Sequence, residues 1–320
     1  MLMLGACNDG NFDGEVEIPD FNFPQTIVFE DSLSAYSIYE GNPSDLIPSE
    51  DFHLIELTSI LFTDYAHKQR LVKVPEGTQM RRLSDGSIDF PDGSILVKTF
   101  FYYNDERDPN LGKRIIETRL EIKEDDTWNI ATYLWNNDQT HATLTLDGHD
   151  TQVSWINANG VSRSTNYHVP NENECITCHQ TNATMSPLGP TLRNMNRMVE
   201  RSGESLNQIS HLQNVSILND FQIDQLPSIA DYNNTMLSLE ERGRAYLAMN
   251  CAHCHNPDAW NETAELDFDF RYETPLNQTG ILFEREDILE VLEDDEMPFI
   301  GTTIQDQEGI GLLIEFIESL

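Results

Sequence analysis

Ile95-Leu96-Val97-Lys98-Thr99-Phe100-Phe101-Tyr102-Tyr103, Ile115-Ile116-Glu117-Thr118-Arg119-Leu120-Glu121-Ile122 and Trp128-Asn129-Ile130-Ala131-Thr132-Tyr133-Leu134-Trp135 are three apolar, β-branched runs parted by polar turns rich in Asp, Asn and Gly. Such runs with turn residues at each end read as strands. The same pattern spreads outward from Thr26 to about His168, through Leu71–Val74, Ala142–Leu146 and Val153–Ile156, with Leu146-Asp147-Gly148-His149 as a hairpin turn. Phe52 to Tyr65 reads as a helix or an irregular segment. Short strands with short polar connections predict an antiparallel β domain, sandwich-like or barrel-like, over residues 25–168.

Past Pro170 the strand signals thin out and helix signals replace them. A helix is expected over Leu206–Leu218. Another is expected from Ser238, which forms a capping-box pattern with Glu241 ahead of Arg242–Asn250. The last runs from about Gln305, with Ile310, Leu313, Ile314 and Ile317 at helical spacing.

Two C-x-x-C-H motifs fall in this half, Cys175-Ile176-Thr177-Cys178-His179 and Cys251-Ala252-His253-Cys254-His255. Two intervening residues place both sulfurs over one porphyrin edge and bring the histidine beneath the ring, so each motif predicts one covalently bound haem c with His179 or His255 on the iron. A zinc ribbon would separate its pairs by about 15–20 residues, far less than the stretch from Cys178 to Cys251. A thioredoxin-like dithiol at Cys251-Ala252-His253-Cys254 would need a βαβ pattern, which does not surround it. The fold expected is therefore α+β and multidomain: residues 1–24 a signal remnant and acidic tether, 25–168 the β domain, 169–236 a first haem region and 237–320 a second, both of them α-helical and cytochrome c-like.

Residues 238–320 resemble class I cytochromes c, in which a glycine and a large apolar residue pack the first helix against the last. Here Gly243, Leu247 and Cys251 share a helical face, and Glu296-Met297-Pro298 precedes the final helix. The resemblance implies Met297 as the distal ligand of the second haem, a thioether that favours ferrous iron and reversible electron transfer. Gly189-Pro190 after the first motif is similar to the segment whose proline carbonyl orients the proximal imidazole, a role carried to Pro190. For the distal side of the first haem, His211 on the predicted helix is preferred, with Met195, Met198, Met236 or an open position as alternatives. Met185 is too close to His179 to round the ring.

The wider chain is similar to a bacterial family of dihaem c-type cytochromes with an N-terminal β domain, through Leu61-Phe62-Thr63-Asp64-Tyr65-Ala66, Phe90-Pro91-Asp92-Gly93-Ser94, Glu117-Thr118-Arg119-Leu120, Val169-Pro170-Asn171, Leu188-Gly189-Pro190 and Arg244-Ala245-Tyr246-Leu247. That resemblance implies an exported one-electron carrier in a cell-envelope redox chain. The alternative is a haem enzyme, peroxidase-like or a small-molecule oxidoreductase, with an open site at the first haem.

With 55 acidic against 19 basic side chains, the formal charge of -36 disfavours nucleic acid and anionic lipid as partners and suits a redox protein with a basic docking face. No apolar run reaches the ~18 residues of a membrane span. Leu4-Gly5-Ala6-Cys7 resembles the end of a bacterial lipoprotein signal, so Cys7 is the expected lipidation site and the protein is expected in the periplasm or on the outer membrane or cell surface. Only six residues precede Cys7, too few for the basic and apolar regions of such a signal, so a truncated or wrongly chosen start is the expectation. The histidines His53, His67, His141, His149 and His168 of the β domain read as structural or exposed.

Overall fold

The computed structural model describes residues 25–84, 86–181, 184–259, 267–298 and 300–320; Cys7 and the tether lie outside them. In chain order the strands are β1 (His53–Ile55), β2 (His67–Lys73), β3 (Arg81–Arg82), β4 (Ile88–Asp89), β5 (Ile95–Tyr103), β6 (Lys113–Glu124), β7 (Thr127–Trp135), β8 (Ala142–Thr145), β9 (His149–Ile156), β10 (Ser162–Val169), β11 (Gln180–Thr181), β12 (Thr184–Met185), β13 (Met198–Arg201) and β14 (Glu204–Asn207). The described helices are α1 (Glu172–His179), α2 (Leu192–Met195), α3 (Gln208–Asn214), α4 (Leu239–Asn250), α5 (Arg285–Glu293) and α6 (Gln307–Glu318). None of these helices is long and apolar enough to cross a membrane.

The centre is a six-stranded antiparallel sheet in the order β1-β2-β5-β6-β7-β8. Alternation assigns each strand residue to one of two faces. On the outer face Leu71, Val97, Leu120 and Ala131 fall in one cross-strand row and pack under Leu33, Ile38, Leu46 and Phe52 of the preceding chain. The inner face is divided. Val72, Leu96 and Trp128 feed an apolar cluster at one end, and Phe100, Tyr102 and Ile116 pack against the β9–β10 hairpin at the other. Charged side chains fill the strip between.

The turn at Leu146–His149 is not a hairpin. β8 closes the large sheet, whereas β9 pairs with β10 in a separate two-stranded sheet, so the chain changes sheets there. Gly148 is required at φ 71°, and a Cβ would lie 2.8 Å from the Val169 carbonyl.

The expectation of α-helical, cytochrome c-like haem domains in the back half is overturned. The described helices there reach at most 12 residues and are interrupted by the β11–β12 and β13–β14 hairpins and by long irregular segments. Such short helices need tertiary packing to persist. Leu192, Met195, Ile209, Leu212, Ile217, Leu218 and Leu226 find it on the inner face of the sheet, in one cluster with Ile55, Val72, Leu96 and Trp128. The whole molecule is thus sheet-dominated, with the 192–226 segment serving as a cover for the sheet.

Helices α4, α5 and α6 form their own apolar cluster around Leu247, Ile288, Leu292, Leu313 and Phe316. The capping box at Ser238 and Glu241 is formed, and Asp306 caps α6 through the Gly309 amide. Gly243 allows α4 and α6 to cross closely, since a Cβ there would stand 2.5 Å from the Phe316 ring. Gly309 reciprocates, because a Cβ on it would enter the Tyr246 ring. Gly243→Ala should cost about 1–3 kcal/mol by overpacking, read as a lower urea midpoint, and an unchanged midpoint would show that the crossing has room to spare.

Candidate functional site

The loop from Leu57 to Tyr65 ties the sheet to every part of the back half. Ser59 bonds Asn194 and the Ala230 carbonyl, the Phe62 amide donates to Asn250, and Tyr65 donates to Glu308. The buried Asp64 carboxylate accepts from the amide and hydroxyl of Thr303 at 2.9 and 2.6 Å. These bonds close a cavity with about 1750 Å3 of atom-free space, continuous with solvent, between the inner face of the sheet and the α4–α6 unit.

Both C-x-x-C-H motifs line this cavity. The first is itself helical: α1 is capped by Asn171, whose side chain accepts from the Glu174 amide while Glu174 accepts from the Asn171 amide, and the box launches about two turns ending on His179. The β11–β12 hairpin then folds the chain back, so that His179 Nδ1 donates to the carbonyl of Ser186 at 3.0 Å. Ser186 therefore fills the orienting role expected of Pro190. With Nδ1 bonded in this way, Nε2 carries the free lone pair.

The second motif continues from the C-terminus of α4, Cys251 serving as its cap. His255 is flanked by Phe268 and Phe270, with ring centroids 5.6 and 5.3 Å away, and its Nδ1 is buried without a partner among the described residues. Burial holds His179 well below the usual imidazole range and His255 down at about 4, so both rings are neutral and able to donate a lone pair. Burial also pushes the Cys175 and Cys251 thiols up to about 12.

The two motifs meet. Ligand atoms of Cys178, His253 and Cys254 lie within 4.8 Å of one another. Met297 lines the same cavity as His255, packed partly against the α4–α6 cluster. The candidates for the distal side of His179 are elsewhere: His211 on α3 lies near His53 and Arg201, Met195 is buried in the apolar cluster under the sheet, and Met198 and Met236 are exposed. Met249, absent from the sequence-based candidates, does face the cavity, where its sulfur accepts from Asn194 Nδ2 at 3.1 Å. Lys68, Arg70, Lys98 and Arg119 line the opposite wall and were likewise missed. The available signal was charge at every second position of otherwise apolar strands.

His168 is braced at the cavity rim, with Nδ1 2.6 Å from Asp150 and Nε2 3.0 Å from Glu174. Burial disfavours its charge, but the two carboxylates outweigh burial and raise its pKa. The pair with the capping residue Glu174 then stabilises the start of α1 in full below about pH 6.5, the usual imidazole value, and this contribution fades as pH rises through the elevated folded value. The stability difference between wild type and His168→Gln should accordingly shrink from pH 6 to pH 9 in thermal melts; a constant difference would show that His168 is not charged.

Comparison of the chain with family models, with curated proteins and with solved structures finds no match, so the site is read from its own residues and their geometry.

Proposed function

We propose that this chain is an exported electron carrier holding two covalent haems, one on Cys175 and Cys178 with His179 as iron ligand, the other on Cys251 and Cys254 with His255. Each thiol would add across a vinyl group, its sulfur bonding one vinyl carbon and its proton passing to the other. The observation that carries this reading is the convergence of both motifs on one cavity, with two neutral imidazoles among its lining residues. Bound haem supplies a reversible one-electron couple at each iron. The chain supplies the rest: Ser186 fixes the His179 ring, Phe268 and Phe270 shield His255, and Met297 offers a thioether to the same cavity. Contact between Cys178 and Cys254 suits electron exchange between the two attachment sites.

The role of Met297 is open to direct test. Wild type should titrate as two one-electron centres, the one on His255 low-spin in both oxidation states. Met297→Ala should open the haem on His255 to carbon monoxide and should lower its midpoint potential. A variant with the spectrum and potentials of the wild type would remove Met297 from the iron.

A second reading has its own support, since Cys178, His253 and Cys254 are clustered as ligands of a thiolate-bound metal ion such as zinc. Under that reading metal analysis of the purified chain returns zinc and its absorption spectrum has no Soret band.

A further inference from the structure

Only 19 Lys and Arg side chains oppose 55 carboxylates in this chain, yet four of them crowd one wall of the cavity. Their crowding follows from register. Arg70 pairs with Lys98 and Lys98 with Arg119, a row of three cations directly opposed across β2, β5 and β6 on the inner face. Lys68 stands one row away, opposite Phe100 and on the same face. Like charges facing each other across strands destabilise a sheet unless anions lie between them.

The protein itself supplies part of the compensation. Glu117 takes Arg119 in a two-point bond at 2.8 and 2.6 Å, and Glu121 stands 4.0 Å from Lys98. Asp64, the other carboxylate near Lys68, is engaged by Thr303. Arg70 has no ion-pair partner among the described residues, and its Nε–H is buried without an acceptor. Lys68 is likewise without an ion pair there; it donates to the Leu61 carbonyl and lies 5.6 Å over the Phe100 ring. Arg70 and Lys68 therefore face the cavity without an anion, and burial beside the other cations holds the Lys68 amine well below its usual range until a carboxylate is brought beside it.

We propose that Arg70 and Lys68, backed by Lys98, form a carboxylate-binding wall that takes the two propionates of the haem held by His179. The inference rests on the haem reading above and assigns the wall to the first site. Lys98 Nζ lies 3.4 Å from the Leu188 carbonyl, two residues beyond the Ser186 carbonyl that holds the His179 ring. Guanidinium and ammonium groups at a desolvated site bind carboxylates through charge-assisted hydrogen bonds, and the cations also stabilise the electron added on reduction of the neighbouring iron. The two haems would thus be unequal by construction, the first lying against a positive wall.

The test uses the full haem-loaded chain. Arg70→Gln, Lys68→Gln and the double variant should retain two haems by mass, while the midpoint potential of one haem falls, by about tenfold in its reduction equilibrium for each charge removed, or about 59 mV for a one-electron couple. The other potential should stay within a few-fold, and Arg70→Lys should recover most of the loss. If the double variant fails to mature, the single Lys68→Gln variant carries the same expectation. Two attached haems with unchanged potentials would overturn the wall. So would wild-type potentials that respond to added phosphate or acetate at constant ionic strength, because the wall would then hold a free anion. A wild-type chain without haem would instead sink the haem reading, and this inference with it.

Discussion

Replacing Cys251 and Cys254 together by serine should remove one haem from the chain and leave the other, halving the haem absorbance per protein and deleting one of two redox waves. The two attachment segments depend on different local structure. Helix α4 is nucleated at its far end by the Ser238/Glu241 box and packed through Gly243 on Phe316, so loss of two sulfurs at its C-terminus does not unmake it. The first motif is held separately, on α1, by the Asn171/Glu174 box and the Ser186 carbonyl. Cys175→Ser with Cys178→Ser should remove the other haem. If either double variant keeps the full wild-type haem content, the assignment of haem to that motif is wrong.

The largest loss of stability is expected from Arg119→Met. Glu117 is fully buried, accepts both bonds of the Arg119 guanidinium, and takes a further bond of 2.6 Å from the buried Tyr167 hydroxyl. Removing the arginine strands a carboxylate in a dry site, which typically costs about 3–5 kcal/mol. Tyr167 does not compensate, since it contributes one neutral bond to a charged group. Adding Glu117→Leu to the same chain should recover much of the loss, because the pair removed as a whole leaves no unpaired charge. Urea unfolding of the two variants measures both. A loss below about 1 kcal/mol for Arg119→Met would mean that Glu117 is protonated or hydrated when alone.

Much of this structure was legible from the residues. The central strands lie where the runs at Ile95–Tyr103, Ile115–Ile122 and Trp128–Trp135 put them, because period-2 apolar patterning and bounding turns are local signals. The Ser238 cap, the C-terminal helix and the close crossing at Gly243 were local too. What escaped was non-local. No spacing shows that Arg70, Lys98 and Arg119 stand in one row, since that depends on which strands pair and in what register.

The back half misled for a different reason. Its helical signals are real but short, and a short helix takes its fate from the surface it lands on. Leu192, Ile209 and Leu212 land on the sheet, which also carries α3 away from the cavity and His211 with it. Ser186 displaced Pro190 because the two-residue strands β11 and β12 return the chain to His179 sooner than the Gly-Pro spacing implied. The Asn171-x-x-Glu174 box could have been read in advance, as the Ser238 box was.

The central claim is that this one cavity holds two haems on the chain's own cysteines. Intact-mass measurement of the full chain, made in a bacterial host that attaches haem during export, tests it most directly. The account predicts a mass excess of two haems that survives denaturation, falling to one in each double-cysteine variant; a denatured chain at its bare polypeptide mass, with or without zinc in the native protein, would contradict it.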